Sequence, residues 1–502
     1  MAKEKDQTTK DKNLLISFLW NFSAELKLVL MALLVLSTLA TLLPFIPSSF
    51  AISASELRFC ISRIAVNSST SVNTNTTSLN NAVKNQPLTQ ETELSNGVIK
   101  RTFTGYGWAA YNFVLMNAYR GGVNTFAVIG LSSKPLHVYA HPTYRCEWVP
   151  LNQSDNRILT DGTKILTDWG YGRVYTTVVV NCTFPANAVI NPRNDGGTLL
   201  LHATTGDTDR NITDSIPVLT EAPATVDFAL YDSKLQQKYD YLYCGSSLYG
   251  NLSPQRIREW VAYHVRFFGE RSHFVLHDAG GISDEVFEVL KPWIELGRVT
   301  VHDIREQERF DGYYHNQFMV VNDCLHRYRF MAKWVFFFDV DEFVYVPAKE
   351  TISSVMESLK GYSQFTIEQM PMSSQLCYNG DGPARTYRKW GFEKLAYRDV
   401  KKVPRRDRKY AVQPRNVFAT GVHMSQNLQG KTYHRAEKQI RYFHYHGSIS
   451  QRREPCRHLY NGTRIVHENN PYVLDTTMRD IGLAVKTFEI RTIGDRLIRT
   501  RQ

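Results

Sequence analysis

Three acidic residues interrupt one of the most apolar stretches of the chain. In WVFFFDVDEFVYVP, residues 334–347, Asp339, Asp341 and Glu342 stand where a buried strand would otherwise run on. An unpaired carboxylate in a low-dielectric interior is costly, so these acids should either end the strand at a wet cleft or hold a cation. In extended chain Asp339 and Asp341 project to the same side, where they can face one ion and a ribose-diphosphate. Carboxylate oxygens suit Mn2+ or Mg2+, ions that also bind diphosphate oxygens. The competing reading is a strand end capped by solvated acids. D-x-D alone is common, and its apolar frame gives the motif its weight.

Elements that could position these acids lie on both sides of them. YDYLYCGSSLYG reads as a strand and loop, SPQRIREWVAYHVRFFG as a Ser-capped helix with Pro in its first turn, and SHFVLHDAGG as a second strand and loop. DEVFEVLKPWIELG follows as a helix kinked or broken near Pro292, RVTVHD as a strand and YYHNQFMVVNDCLHRYRF as another helix. Strands alternating with helices predict a mostly parallel sheet with ligands at the strand C-terminal ends. Neither GxGxxG nor a Walker A sequence occurs, which removes the main warrant for a dinucleotide oxidoreductase or a P-loop enzyme. From 98 to 220, short alternating runs such as NTFAVIGL and RVYTTVVVNCTF predict an all-β sandwich. Its Tyr106, Trp108, Tyr111, Tyr144, Trp148, Trp169 and Tyr171 could form a sugar-stacking platform or serve as packing.

The ends of the chain set its compartment. Residues 28–46, LVLMALLVLSTLATLLPFI, are uncharged and long enough for one transmembrane helix. Five lysines (Lys3, Lys5, Lys10, Lys12, Lys27) precede this run and the first basic residue after it is Arg58, so the expected N-terminus is cytosolic and the rest lumenal. A cleavable signal peptide is the alternative. Residues 47–97, rich in Ser, Thr and Asn, read as a stem. Glycan acceptor tripeptides at Asn67, Asn75, Asn152, Asn181, Asn211 and Asn461 suit a secretory lumen, whereas Pro254 weakens the one at Asn251. Seven cysteines with no CxxC pair suggest structural disulfides rather than zinc, with one, such as Cys60, left over or bridging two chains. With 43% hydrophobic residues the chain is not a disordered one, and a net charge of +11 from 59 basic and 48 acidic residues is a modest excess over 502 residues. A nucleic-acid partner is not expected of a lumenal chain.

The long string NDCLHRYRFMAKWVFFFDVDEFVYVP, with YLYCGSSLYGN, REWVAYH and YFHYHGS, resembles glycosyltransferase family 92, and within it the plant β-1,4-galactan synthases. The likeness runs from the stem to the C-terminus. It implies an α/β GT-A catalytic domain, Rossmann-like with a mostly parallel sheet, over 221–502, preceded by a carbohydrate-binding module over 98–220. It further implies UDP-galactose as donor, a Mn2+ ion (or Mg2+), inversion at the anomeric carbon, a β-1,4-galactan or galactooligosaccharide acceptor in pectin, a type II protein of the Golgi membrane, and a homodimer. Two rivals are a family member acting on N-glycan cores or another glycan, and an inactive lectin-like binding protein. Acids kept within an apolar strand argue against the second.

On that resemblance a third metal ligand is expected near the C-terminus, commonly a histidine. RYFHYHGS offers His444 and His446, two apart on a strand-like run, with His444 matching the family's H-Y pattern and His423 a spare. Inversion needs a carboxylate to take the acceptor hydroxyl's proton; Asp381 in YNGDGP and Glu393 in KWGFEKLAY are the candidates. Ser246 and Tyr249, in the loop after the first strand, and Asp278, after the second, are placed to meet the nucleotide, although Asp278 could instead cap the AGG turn. Arg452 and Arg453 are the candidates for the phosphates. KKVPRRDRKY, residues 401–410, reads as a solvated basic loop or a steering patch for an acidic polymer.

Overall fold

The structure, a computed structural model, describes residues 91–497 apart from 108–110, 134–141, 153–155, 168–173, 208–209, 233–235, 311, 381–388, 402–407 and 451–455. The expected anchor at 28–46 lies outside the described residues, as do Cys60, Trp108, Trp169, Tyr171, Asp381, Arg452 and Arg453. Residues 86–502 form one compact unit.

Two strands, β1 (Glu91–Glu93) and β2 (Ile99–Arg101), form a hairpin that leads into eight more. These are β3 (Thr104–Tyr106), β4 (Phe113–Arg120), β5 (Thr125–Ser133), β6 (Thr143–Pro150), β7 (Ile158–Leu166), β8 (Tyr175–Thr183), β9 (Gly197–Asp207) and β10 (Arg210–Glu221). The eight make one antiparallel sheet in the order β10-β9-β6-β7-β8-β5-β4-β3. Period-two alternation sends Phe113, Leu115, Phe126, Val128, Val178 and Val180 into a core with Trp148 and Leu201. The alternate residues Val114, Met116, Ala127, Ile129 and Val179 face a second cluster that includes Met319 and Val320. Burial on both faces explains why β5 reads as a continuous apolar run.

The remaining chain supplies β11 (Tyr239–Leu248), α1 (Pro254–Phe268), β12 (Ser272–Asp278), α2 (Asp284–Glu295), β13 (Val299–Asp303), α3 (Gln317–Arg327), β14 (Ala332–Phe337), β15 (Glu342–Tyr345), α4 (Ile352–Leu359) and β16 (Gln364–Pro371). Short strands follow: β17 (Leu376–Tyr378), β18 (Tyr397–Asp399), β19 (Lys409–Val412), β20 (Val417–Thr420), β21 (Ser425–Leu428), β22 (Thr432–Tyr433) and β23 (Arg441–His444). The main sheet runs β1-β2-β13-β12-β11-β14-β19-β16-β23-β15, with β22 alongside β16. Ser253 caps α1, with Pro254 in its first turn and Gly269 ending it at φ +78°. Helix α2 runs through Pro292 and ends one turn later, the proline forfeiting the single bond that its missing N–H would give to Glu288.

This architecture corrects the fold class read from the sequence. The described residues are dominated by strands, with few helices, and the main sheet is a mixed one in which antiparallel neighbours interrupt the parallel ones. Helical crossovers serve the parallel neighbours among β11 to β14; beyond them β14 pairs β19, β19 pairs β16 and β15 pairs β23 antiparallel, while β16 pairs β22 and β23 in parallel. Antiparallel neighbours need no helical crossover, so most connections after Phe337 are loops, although α4 still packs Val355, Met356 and Leu359 into the main core. The expected two-sheet sandwich is instead one continuous sheet curled over its own core. No described helix is long and apolar enough to cross a membrane. The proposed aromatic platform fares similarly: Tyr144 and Trp148 are core residues, and Tyr111 packs on Tyr175 and Phe310.

Helix α1 fastens β15 directly. Trp260 Nε1 donates to the Glu342 carbonyl (2.9 Å), Tyr263 Oη donates to the Val344 carbonyl (2.7 Å), and the Val344 amide donates to His264 Nε2 (3.2 Å). His264 Nδ1 in turn faces the Trp260 carbonyl at 2.9 Å, which puts the ring proton on Nδ1. A buried ion pair, Arg101 with Asp323 (2.8 and 3.0 Å), joins β2 to α3, and Tyr119 of β4 donates to the same carboxylate at 2.6 Å. Three disulfides, Cys146–Cys182, Cys244–Cys324 and Cys377–Cys456, use six of the seven cysteines.

Burial holds several histidines neutral: His264 and His326 are pushed down to about 3, and His273 and His277 to about 4. An unfolded chain protonates each near 6.5 while the folded one does not, so stability present above that pH is lost below it. Each imidazole contributes up to about 1.4 kcal/mol per pH unit. His444, whose affinity for a proton is raised, works in the opposite sense. The urea midpoint of the protein is therefore expected to fall progressively from pH 7 to pH 5, and a flat midpoint over that range would show that these rings are not held neutral.

Candidate active site

The Asp339–Glu342 segment is the turn between β14 and β15. Glu342 N donates to the Asp339 carbonyl (3.1 Å), and the Glu342 side chain reaches back to accept from Asp339 N (2.7 Å). Tyr243 Oη, from β11, donates to the Phe338 carbonyl at 2.9 Å and pins the approach to the turn. The acids then diverge. Asp339, about 41% exposed, pairs with Lys409 Nζ at 2.7 Å, and the same ammonium lies 3.8 Å from the fully buried Glu342. Register explains the pairing: Phe337 of β14 sits opposite Tyr410 of β19, so Lys409 is level with the start of the turn.

Asp341 points the other way, toward β23. Glu342 is directly opposite His444 in the β15–β23 ladder, and His444 Nε2 lies 3.6 Å from Asp341 Oδ1. The loop after β23 wraps this aspartate: Tyr445 N donates to its carbonyl and Gly447 N to its Oδ2, both at 3.0 Å. His446 follows, edge-on to His444 with ring centroids 5.2 Å apart. One donor atom from each of Asp341, His444 and His446 lies within 4.8 Å of the other two. The Gln369 amide, from β16, meets His444 Nδ1 and fixes the ring. Two imidazoles beside one carboxylate fit a transition-metal ion such as Mn2+ better than Mg2+, and three protein donors are fewer than such an ion takes.

The charges are tuned by burial and by one another. Burial, opposed by Lys409 and reinforced by Asp339, pushes the Glu342 carboxyl up to about 8. Burial would raise Asp339 too, but Lys409 outweighs it and holds that carboxyl below its usual range. Burial disfavours the Lys409 ammonium, yet Asp339 and Glu342 more than compensate and keep it charged. His444 is likewise raised despite burial, through its hydrogen bond to Asp341 and the nearby acids.

Of the residues singled out from the sequence, Asp341, His444 and His446 come together, with Asp339 adjoining on Lys409. Asp278 is engaged: its Oδ1 accepts from Gly280 N and Ile282 N (both 2.9 Å) and its Oδ2 pairs with Arg305 at 2.6 Å, so it caps the AGG turn. Ser246 is half-buried at an irregularity of β11, and Tyr249 stacks on His315 with centroids 4.2 Å apart. The Tyr249 phenol is pushed up to about 12, by burial first and then by Tyr314, Asp339 and Asp341. Glu393 is buried; it accepts from Trp390 N at 2.7 Å and pairs with Lys486, which makes it a capping residue of helix α5 (Gly391–Lys394). His423 is exposed, with Nδ1 3.1 Å from the Arg408 carbonyl. Sequence reasoning missed Lys409 and Gln369. Lys409 fell within the stretch 401–410 read as a solvated basic loop, but with Tyr410 it begins the buried strand KYAV, and that apolar run was the signal; Gln369 carried none.

Residues 239–495 match the profile of glycosyltransferase family 92. The chain is 88% identical over 520 aligned residues, covering 100% of both chains, to galactan beta-1,4-galactosyltransferase GALS2 of Arabidopsis thaliana. It is 77% identical, again over 100% of both chains, to galactan beta-1,4-galactosyltransferase GALS3, and 52% identical over 79% of each to galactan beta-1,4-galactosyltransferase GALS1, both from the same plant.

The arrangement makes different demands on neighbouring residues, which a Mn2+ titration followed by electron paramagnetic resonance reads directly. His444→Ala is expected to abolish binding, Gln369→Leu to weaken it about 10–100-fold, and Asp339→Asn to weaken it less than Asp341→Asn does. Equal losses in the two aspartate variants would mean that Asp339 is also a ligand.

Proposed function

The chain belongs to glycosyltransferase family 92, and from that premise we propose that it transfers galactose from UDP-galactose to the non-reducing end of β-1,4-galactan, inverting the anomeric carbon. The observation that carries this reading is the meeting of Asp341, His444 and His446 beside Asp339, in a chain alike over its whole length to galactan galactosyltransferases. In a single displacement the acceptor 4-hydroxyl oxygen bonds to C1 of galactose as the bond from C1 to the diphosphate oxygen breaks. UDP departs with the electron pair, and the hydroxyl proton passes to a carboxylate base. A divalent cation held by Asp341, His444 and His446 would neutralise charge on the departing diphosphate.

The chain's own residues prepare that event. Lys409 keeps Asp339 ionised and oriented at the cleft, Gln369 sets the His444 ring, and the Gly447 amide holds Asp341. Glu393 is committed to its helix and to Lys486, which favours Asp381 as the base. Arg452 and Arg453 are our candidates for the phosphates. The same proposal puts the protein at the Golgi membrane with its catalytic part in the lumen. Three disulfides and the exposed acceptor residues Asn152, Asn211 and Asn461 support an oxidising, glycosylating compartment.

Incorporation of sugar from UDP-galactose into β-1,4-galactooligosaccharides, with Mn2+ or with EDTA, tests the proposal. Elongation is expected with Mn2+, is expected to vanish in EDTA, and should fall at least about 100-fold in Asp341→Asn. A folded protein that binds galactan but transfers no sugar from any UDP-sugar would overturn it in favour of a lectin-like role.

A further inference from the structure

An aromatic cleft lies at the end of the main sheet that carries the carboxylate turn, since Tyr249 follows β11 and β11 runs parallel beside β14. It encloses about 530 Å³ and is lined by Tyr249, Gln307, Glu308, Phe310, Tyr314 and His315. Two of its rings are presented to solvent, Tyr314 at 54% and Tyr249 at 39% exposed, with the buried Phe310 beside them. Three consecutive non-glycine residues, Tyr314, His315 and Asn316, take left-handed backbone at φ +50°, +54° and +55°, a conformation that costs free energy at each position. The surroundings hold it there. Ser247 Oγ donates to the His315 carbonyl at 2.7 Å, and Asn316 Nδ2 donates to Gln307 Oε1 at 2.7 Å. Gln307 is almost wholly buried beneath the cleft, yet its Nε2 donor has no partner among the described residues.

We infer that this cleft is an acceptor subsite, in which a galactose unit of the growing chain lies against Tyr314 and Tyr249 and gives hydrogen bonds to Glu308. The inference rests on the function proposed above. The chemistry of the lining decides the ligand class. A pyranose offers a C–H face to an aromatic ring and a rim of hydroxyls to acceptors and donors such as Glu308 and Gln307. A nucleoside diphosphate would bring negative charge to a lining with one carboxylate and, among its described residues, no lysine or arginine. A neutral oligosaccharide meets no such opposition. The strained backbone then has a use, since it turns the Tyr314 ring outward beside Tyr249 where a relaxed helix start would not.

Isothermal titration of the full chain with β-1,4-galactotetraose alone, and separately with UDP and Mn2+, tests this, alongside acceptor and donor KM. Tyr314→Asn removes the ring with a residue that tolerates left-handed backbone, so the loop is preserved. It is expected to weaken galactotetraose binding and raise the acceptor KM about tenfold, with UDP affinity and donor KM unchanged. Glu308→Gln is expected to shift the same two quantities in the same direction. Loss of UDP affinity with unchanged galactotetraose binding would make the cleft a nucleotide platform and overturn the inference, as would no change in either ligand. Wild-type protein that binds galactotetraose through Tyr314 but transfers no sugar would leave the subsite standing and remove the proposed function.

Discussion

The site depends on how the outer edge of β15 is satisfied. This strand ends the main sheet, so one edge pairs with β23 and the other offers unpaired amides and carbonyls. Water or a second chain would normally meet such an edge. Here Trp260, Tyr263 and His264 occupy it with three directed hydrogen bonds from a single helix. Since Glu342 begins the strand, the same bonds fix the turn that carries Asp339 and Asp341, and through the ladder they fix His444 opposite. A histidine accepting a backbone N–H must stay neutral, which is why so many aromatic rings enclose it.

Around that fixed edge the charges are arranged in two groups that share one turn. Lys409 and Asp339 neutralise each other, and Glu342, pressed between them and His444, is driven toward its protonated form. Asp341 is left to the histidines and to backbone amides. Separating the acids in this way avoids crowding three negative charges into one low-dielectric volume. It also gives the segment two chemical faces, one holding an ion pair open to the cleft and the other a set of metal-binding donors.

Sequence made some of this legible and concealed the rest for identifiable reasons. The carboxylates of WVFFFDVDEFVYVP stood out because acids are costly within an apolar strand, and His444 and His446 because they lie on a second such run. Lys409 was hidden because its meaning comes from register with Phe337, a pairing between residues about seventy positions apart that no local pattern encodes. Glu393 was a candidate base and the structure gives it a capping contact, and a carboxylate near a helix start reads the same in either role. Helix α1 was readable from its cap and α2 and α3 from their apolar periodicity. The sheet was not, since strands of four residues such as β15, β19 and β23 are too short for alternation to specify their neighbours or direction. Tyr144 and Trp148 were ambiguous for a related reason: an aromatic ring serves a core and a sugar face equally well until its neighbours are known.

The early strand β2 has consequences for how the chain is made. It runs parallel to β13 in the main sheet, although eight strands of the other sheet intervene in sequence, and its Arg101 meets Asp323 across 222 residues. During synthesis at about 5–20 residues per second, that arginine waits roughly 10–45 s for its partner to emerge. The curled sheet of β3 to β10 can close in the meantime, but its outer face, with Val114, Met116 and Ile129, stays uncovered until α3 arrives. The two sheets are thus interlocked by sequence order. The main sheet has its first two strands before the curled sheet is made and gains the rest only after it, and the curled sheet's outer face must be shielded over that interval.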